Sequence, residues 1–271
     1  MLDNKKISVL ITSHKLRFNT LDLVIKSWLT QPIDELWIVD DGTGFKTTIK
    51  DDRLLIFNMP KDFETKADYC LALMTEGDLI IMADDDDTVK GDFVKDLYDW
   101  HVKLDAVVGI AGKQFFGPGY IRDTKVYKSH RIKEPKKVGF VGIIFMSPRK
   151  YFGFDVKGMH KNCDDFWFCM KEHPYINKYV VPTKNYNELP TSEYRDVAMH
   201  RTSSLHSPRR KFYTEYYNRY FKDFKDFKDL DTINIDELHK EKEKELIKIA
   251  KQQSREVKNN WKDLINTIKG K

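Results

Sequence analysis

Cysteine is scarce in this chain. Only Cys70, Cys163 and Cys169 occur in 271 residues, and no two of them sit at a metal or redox spacing. An odd, scattered set excludes a disulfide scaffold and a zinc-finger site, and it suits a reducing compartment. Long apolar runs are missing too: none approaches the ~20 residues that cross a bilayer. The opening Met1-Leu2-Asp3-Asn4-Lys5-Lys6 has no signal-peptide core and leads directly into a strand. These absences lead us to expect a cytoplasmic protein with at most peripheral contact at a membrane surface. No glycine-rich phosphate loop follows the first strand, which argues against a nucleotidyltransferase. Charge of one sign is only mildly in excess, at 47 Lys and Arg against 42 Asp and Glu for a net +5. Much of that excess falls late, a weak pointer to a polyanionic partner or an anionic membrane.

What is abundant is acid in one place. Leu79-Ile80-Ile81-Met82-Ala83 is an apolar run of strand length, and it ends in Asp84-Asp85-Asp86-Asp87. Adjacent carboxylates repel and raise one another's pKa unless a positive charge joins them. Oxygen-only ligands suit Mg²⁺ or Mn²⁺, and such an ion keeps positions open for a diphosphate. The plainer alternative is a solvated acidic turn at the start of the next helix.

Around this run the chain alternates. Ile7–Thr12 reads as a strand. A helix capped by Asn19 or Thr20 follows, with Leu21, Val24, Ile25, Trp28 and Leu29 as its stripe. Glu35–Asp40 and Leu54–Asn58 are further strands. A helix over 64–75 carries Ala67, Cys70, Leu71 and Met74 on one face. After the acidic run come a helix over 91–104, a strand over 106–111 and a loop over 114–135. A strand over 138–147, the acidic pair Asp164-Asp165 opening an aromatic helix, and a strand over 179–182 complete the series. Strand–helix alternation predicts an α/β fold, a mixed but mostly parallel sheet flanked by helices, with ligands at the C-terminal strand ends. The length allows one sizeable core with an appendage. Composition shifts near Ser207, so we expect a catalytic domain over 1–207 and a helical, basic and aromatic extension over 208–271.

Three motifs in register resemble family 2 glycosyltransferases: the opening strand Ile7–Arg17, the Ile38-Val39-Asp40-Asp41-Gly42-Thr43 turn, and Ala83–Asp87 with the later Asp164-Asp165 pair. The resemblance covers roughly residues 5–185 and implies the glycosyltransferase-A fold. It also implies a nucleotide-sugar donor, usually a UDP-sugar, held through Mn²⁺ or Mg²⁺. Thr12, His14 and Arg17 would line the donor pocket, Asp40 or Asp41 would contact base or ribose, and Lys66 would lie near the phosphates. Asp84 and Asp86 form the Asp-x-Asp element in one frame, Asp85 and Asp87 in the other, with Asp86 or Asp87 touching the metal. Asp165, or Asp164, would be the catalytic base of an inverting displacement, and His200 a late metal ligand, ranked above His206. The plainer reading of the acidic pair is a cap on its helix, and of either histidine a structural side chain. Trp167 and Tyr120 could stack on acceptor sugars or simply fill the core.

The acceptor stays open at this point. A glycan or glycolipid hydroxyl is the first expectation. A hydroxylated base in DNA is the alternative, since Arg209–Phe227 mixes cations with aromatic rings. A non-catalytic interaction module is the remaining rival, and retention of both carboxylate clusters argues against it.

Overall fold

The computed structural model describes residues 2–13, 17–42, 44–63, 65–116, 124–159, 163–190 and 211–215. In chain order the elements are β1 (Ile7–Ser13), α1 (Phe18–Leu29), β2 (Glu35–Asp40), β3 (Leu54–Asn58), α2 (Lys66–Leu71), β4 (Leu79–Ala83) and β5 (Asp87–Val89). Then come α3 (Phe93–Leu104), β6 (Val107–Phe115), β7 (Thr124–Lys128), β8 (Lys136–Lys137), β9 (Phe140–Pro148), α4 (Asp164–Phe166), β10 (Lys178–Val180) and β11 (Tyr186–Glu188).

Nine strands form one sheet in the order β3-β2-β1-β4-β9-β6-β10-β8, with β7 paired to β6. The first four strands run parallel. β9 enters antiparallel between β4 and β6, and β10 runs parallel to β6. Strands covered on both faces read as unbroken apolar runs. All of β4 is buried, and so is all of β1 except the half-buried Thr12. Helix α1 presents Leu21, Val24, Ile25 and Trp28 inward, a stripe at helical spacing. Trp28 meets Phe93 of α3 edge-on with ring centres 5.7 Å apart.

The parallel register decides where the polar residues emerge. Ser13 pairs with Asp40, and Ile11 pairs with Ala83. Thr12, Asp40 and the acidic run therefore leave the sheet at one edge. Just beyond it, β5 pairs with β11, bringing Glu188 opposite Asp87.

Three elements differ from the sequence reading. Helix α2 lasts six residues and tightens into a 3₁₀ turn at Ala72–Met74. The change in winding breaks the expected stripe: Ala67, Asp68, Tyr69 and Ala72 are buried, whereas Cys70 is exposed and Met74 is 66% exposed. Asp68 and Tyr69 turn inward because Thr12 and a set of phenylalanine rings await them there. The expected loop over 114–135 contains β7 and lies partly in the sheet. Helix α1 starts at Phe18 without a side-chain cap; the Thr20 hydroxyl instead donates to the Arg17 carbonyl at 3.1 Å.

Strand β9 carries one extra residue against β6. Ala111 pairs with Gly142 while Gly109 pairs with Phe145. Within this bulge Ile143 has φ +68°, a left-handed backbone that a β-branched residue rarely adopts.

A short helix at 211–215 packs on the same body. Tyr213 is fully buried, 4.8 Å from the Phe115 ring, and Phe212 stacks on Trp167 at 5.8 Å. The expected boundary at 207/208 and the rest of the extension lie outside the described residues. No described helix is long and apolar enough to cross a membrane.

Candidate active site

The carboxylates at the end of β4 converge. One oxygen each from Asp84, Asp86 and Asp87 lies within 4.8 Å of the others. Asp85 turns aside to pair with Arg17, which also holds Asp86 at 3.0 Å. Burial pushes the Asp86 carboxyl up to about 6, with Arg17 opposing and Asp85 adding to the rise. Burial raises Asp87 well above the ordinary range, helped by Asp86 and Glu188. Asp84 is open to solvent at the mouth, yet protein packs around its carboxyl. That packing, then Asp86, Asp87, Asp165 and Asp85 in turn, raises it well above the usual value. Because solvent reaches Asp84, the crowding of like charge is the part of that rise that matters physically.

This donor set fits a hard divalent cation. It is all oxygen, its spacing matches neighbouring positions around one small ion, and Asp87 Oδ1 is buried with no hydrogen-bond partner among the described residues. Arg17, with Lys128 acting on Asp87 from farther off, does not balance the four carboxylates.

Asp165 lies close to the same cluster. It opens α4 and leans over β9, where a Cβ on Gly142 would lie 2.8 Å from Asp165 Oδ2. Only a glycine leaves that space, and Asp165 from there is close enough to raise Asp84. Its neighbour Asp164 is buried and faces inward, where it raises the pKa of both Asp68 and Tyr69 after their own burial. The acidic pair thus splits into one residue at the mouth and one beneath it.

The remaining expected residues fall as follows. Thr12, level with the end of β4, donates its hydroxyl to the buried Asp68. Asp40 is fully buried, and its Oδ2 accepts from the Gly44 and Phe45 amides at 2.6 and 3.2 Å. Those bonds hold a turn in which Gly42 and Gly44 have φ +88° and +80°. Asp41 is half-buried at the start of that turn, and Lys66 is half-buried at the start of α2. Trp167 is buried under Phe212 with Lys171 Nζ 3.7 Å from its ring centre, so it is packed rather than offered to a sugar. His14, Tyr120, His200 and His206 lie outside the described residues.

Sequence reasoning missed Asp68, Tyr69, Gly142 and Glu188. Tyr69 and Asp68 sit within an apolar helical pattern, where two polar groups side by side were a usable signal. Gly142 and Glu188 acquire meaning only through partners more than twenty residues away.

Comparison with known proteins bears on this arrangement. The profile described as glycosyl transferase family 2 matches residues 8–163. No curated protein matches in sequence. Among solved structures, S. aureus TarS 1-349 aligns at 14% identity over 86% of this chain and 77% of that one, with a TM-score of 0.49. A second S. aureus TarS structure aligns at 16% identity and TM-score 0.49, over 80% of this chain and 44% of that one.

Proposed function

Because the chain belongs to glycosyl transferase family 2, and is a glycosyltransferase with the glycosyltransferase-A fold, we propose that it transfers a sugar from a UDP-sugar to a hydroxyl of a glycan or glycolipid, with inversion and with help from a divalent cation. The observation that supports this reading is the gathering of two acidic groups at one strand edge: the cluster Asp84, Asp86 and Asp87, and Asp165 close enough to Asp84 to raise its pKa.

Asp84, Asp86 and Asp87 would hold Mn²⁺ or Mg²⁺. When bound, that ion neutralises the charge of the donor diphosphate as a Lewis acid. Thr12 and Asp41 flank the nucleoside, while Asp40 keeps the turn that carries Asp41 in shape. Lys66 and Arg17 bring positive charge to the phosphate side. Asp165 accepts the proton of the acceptor hydroxyl as its oxygen attacks the anomeric carbon. The bond from that carbon to the diphosphate breaks on the opposite face, and the electron pair leaves with the diphosphate. General-base help of this kind contributes about 10²–10⁴-fold.

The test is a thermal-shift panel of UDP-glucose, UDP-galactose and UDP-N-acetylglucosamine, each with and without MnCl₂. A ligand that binds only the folded chain raises its melting temperature. One of the UDP-sugars should stabilise the protein only with Mn²⁺, and Asp86→Ala should abolish that dependence. Equal stabilisation with and without the metal, unchanged in Asp86→Ala, counts against the assignment.

A further inference from the structure

A cavity lies at the end of the sheet away from the carboxylates. Leu79, the first residue of β4, pairs with Pro148 at the end of β9, and both line a hollow of about 720 Å³. The rise of a strand puts roughly 13 Å between Leu79 and Ala83, which the acidic run follows. Helix α3 contributes Tyr98, His101 and Val102, and the 3₁₀ turn after α2 contributes Leu73. Leu79 and Tyr98 are buried and make an apolar floor. Leu73 is 49% exposed and Val102 59%, so the apolar lining continues to the mouth. Lys5, Arg149 and Lys150 bring positive charge to the same cavity, against one lining acid, Asp78. The acids in this region are already engaged. Asp78 Oδ2 accepts from the Lys6 amide at 3.1 Å, Glu76 pairs with Lys6, Asp99 pairs with Lys95, and Asp3 takes the hydrogen bond of the Tyr98 phenol. The cations are not: among the described residues, no carboxylate pairs with Lys5, Arg149 or Lys150. The Arg149 guanidinium is held by one bond, Nη1–H to the Thr75 carbonyl at 2.6 Å, and its other N–H groups remain for a ligand. His101 Nδ1 lies 2.6 Å from the Ala106 carbonyl, which only accepts, so the proton sits on Nδ1 and Nε2 is the ring's remaining polar atom.

We propose that this cavity binds a phosphate ester with an apolar arm. The phosphate oxygens meet Lys5, Arg149 and Lys150, and the arm lies along Leu79 and Tyr98 toward Leu73 and Val102. A guanidinium offers paired N–H donors to two oxygens of one phosphate, and an ammonium adds a point charge. Three cations suit an anion that spreads up to two charges over three oxygens better than they suit a single carboxylate. The apolar floor beside them favours a ligand that brings apolar surface of its own, since covering Leu73 and Val102 gains free energy only then. This site is separate from the carboxylate edge, so the proposal rests on no assignment of donor, metal or acceptor.

The test is isothermal titration calorimetry of the full chain in EDTA, with hexyl phosphate and with inorganic phosphate. Each methylene that leaves water adds roughly fourfold in affinity, so hexyl phosphate should bind more than about tenfold tighter than inorganic phosphate. Lys5, Lys150 and Val102 are exposed, so changing them spares the core. Lys5→Glu with Lys150→Glu should weaken hexyl phosphate by about tenfold or more. Val102→Asp should erase the advantage of the alkyl chain. Lys50→Glu with Lys157→Glu, at two exposed lysines that do not line the cavity, should leave binding unchanged. Equal affinity for the two anions overturns the proposal. Equal losses in the two lysine pairs overturn it too, since the attraction would then be one of overall charge. Sedimentation with vesicles of phosphatidic acid and phosphatidylcholine identifies the source of the phosphate. A chain that sediments with them, and no longer does so after the Lys5 and Lys150 changes, takes a lipid headgroup. One that binds hexyl phosphate yet stays in the supernatant takes a soluble ester.

Discussion

At the scale of single residues, the absence of a side chain at position 142 matters as much as the carboxylates around it. A Cβ there would meet Asp165 Oδ2 at 2.8 Å and the Phe140 ring at 3.0 Å. Gly142→Ala should push the Asp165 carboxylate off its place above the strand. Misplacing a reacting group by about 1 Å can cost roughly 10²-fold in rate. We expect kcat to fall by about that factor while Mn²⁺-dependent stabilisation by the donor persists, measured by single-turnover assay and thermal shift. Unchanged turnover removes Gly142 from the site. The acidic residues were legible in sequence because a run of charge after a buried strand is a local contradiction. Gly142 was not, since glycine in an apolar strand looks the same whether it yields space to a ligand, a carboxylate or nothing. Asp40 was legible as important, but the buried Asp40 holds the Gly44 and Phe45 amides, a structural task that the motif does not announce.

Among elements, the short helix at 211–215 reaches the site indirectly. Phe212 lies on Trp167 and 6.4 Å from Phe166, both of which directly follow Asp165 in the chain. Tyr213 seals Phe115 at the end of β6. Truncating a buried aromatic to alanine costs about 3–5 kcal/mol. The double variant Phe212→Ala, Tyr213→Ala should lower the urea midpoint clearly and reduce turnover more than donor binding, because the turn carrying Asp165 loses its backing. A variant with wild-type stability would mean that this helix is not part of the catalytic body. Long amphipathic elements such as α1 could be read from spacing, whereas α2 could not. Six residues followed by a 3₁₀ turn give a 3.6-residue period too little room to declare a face, so its buried side was set by Thr12 and the aromatic cluster.

For the molecule as a whole, the crowded carboxylates after β4 make stability depend on pH. The Asp86 carboxyl stands at about 6 in the folded chain against an ordinary 3.8. The folded state therefore holds a proton that the unfolded state has released between those values. Its contribution is fully present below about pH 4 and is lost as pH rises through 6. Other groups act oppositely: the buried His173 is lowered to about 4, so its effect is lost as pH falls below its ordinary range. The comparison must therefore be between variants. In EDTA, Asp86→Asn should be more stable than wild type at pH 7 and indistinguishable from it near pH 4, by urea unfolding. Adding Mn²⁺ at pH 7 should reverse the order. A constant difference across that range contradicts the buried-carboxylate account. At this scale strand–helix alternation correctly foretold a mixed sheet with its polar edge at the strand ends. It did not foretell that β9 runs backwards between β4 and β6, because strand order is decided by how the chain crosses over, and no local pattern records that. The pairing of Arg17 with Asp85 and Asp86 has an effect of its own. A tethered guanidinium already sits in the acidic hollow, so an ion held there as proposed would compete with it for Asp86. The same guanidinium ties the acidic run after β4 to the residue that precedes α1, so the two element ends are clasped by charge as well as by the sheet.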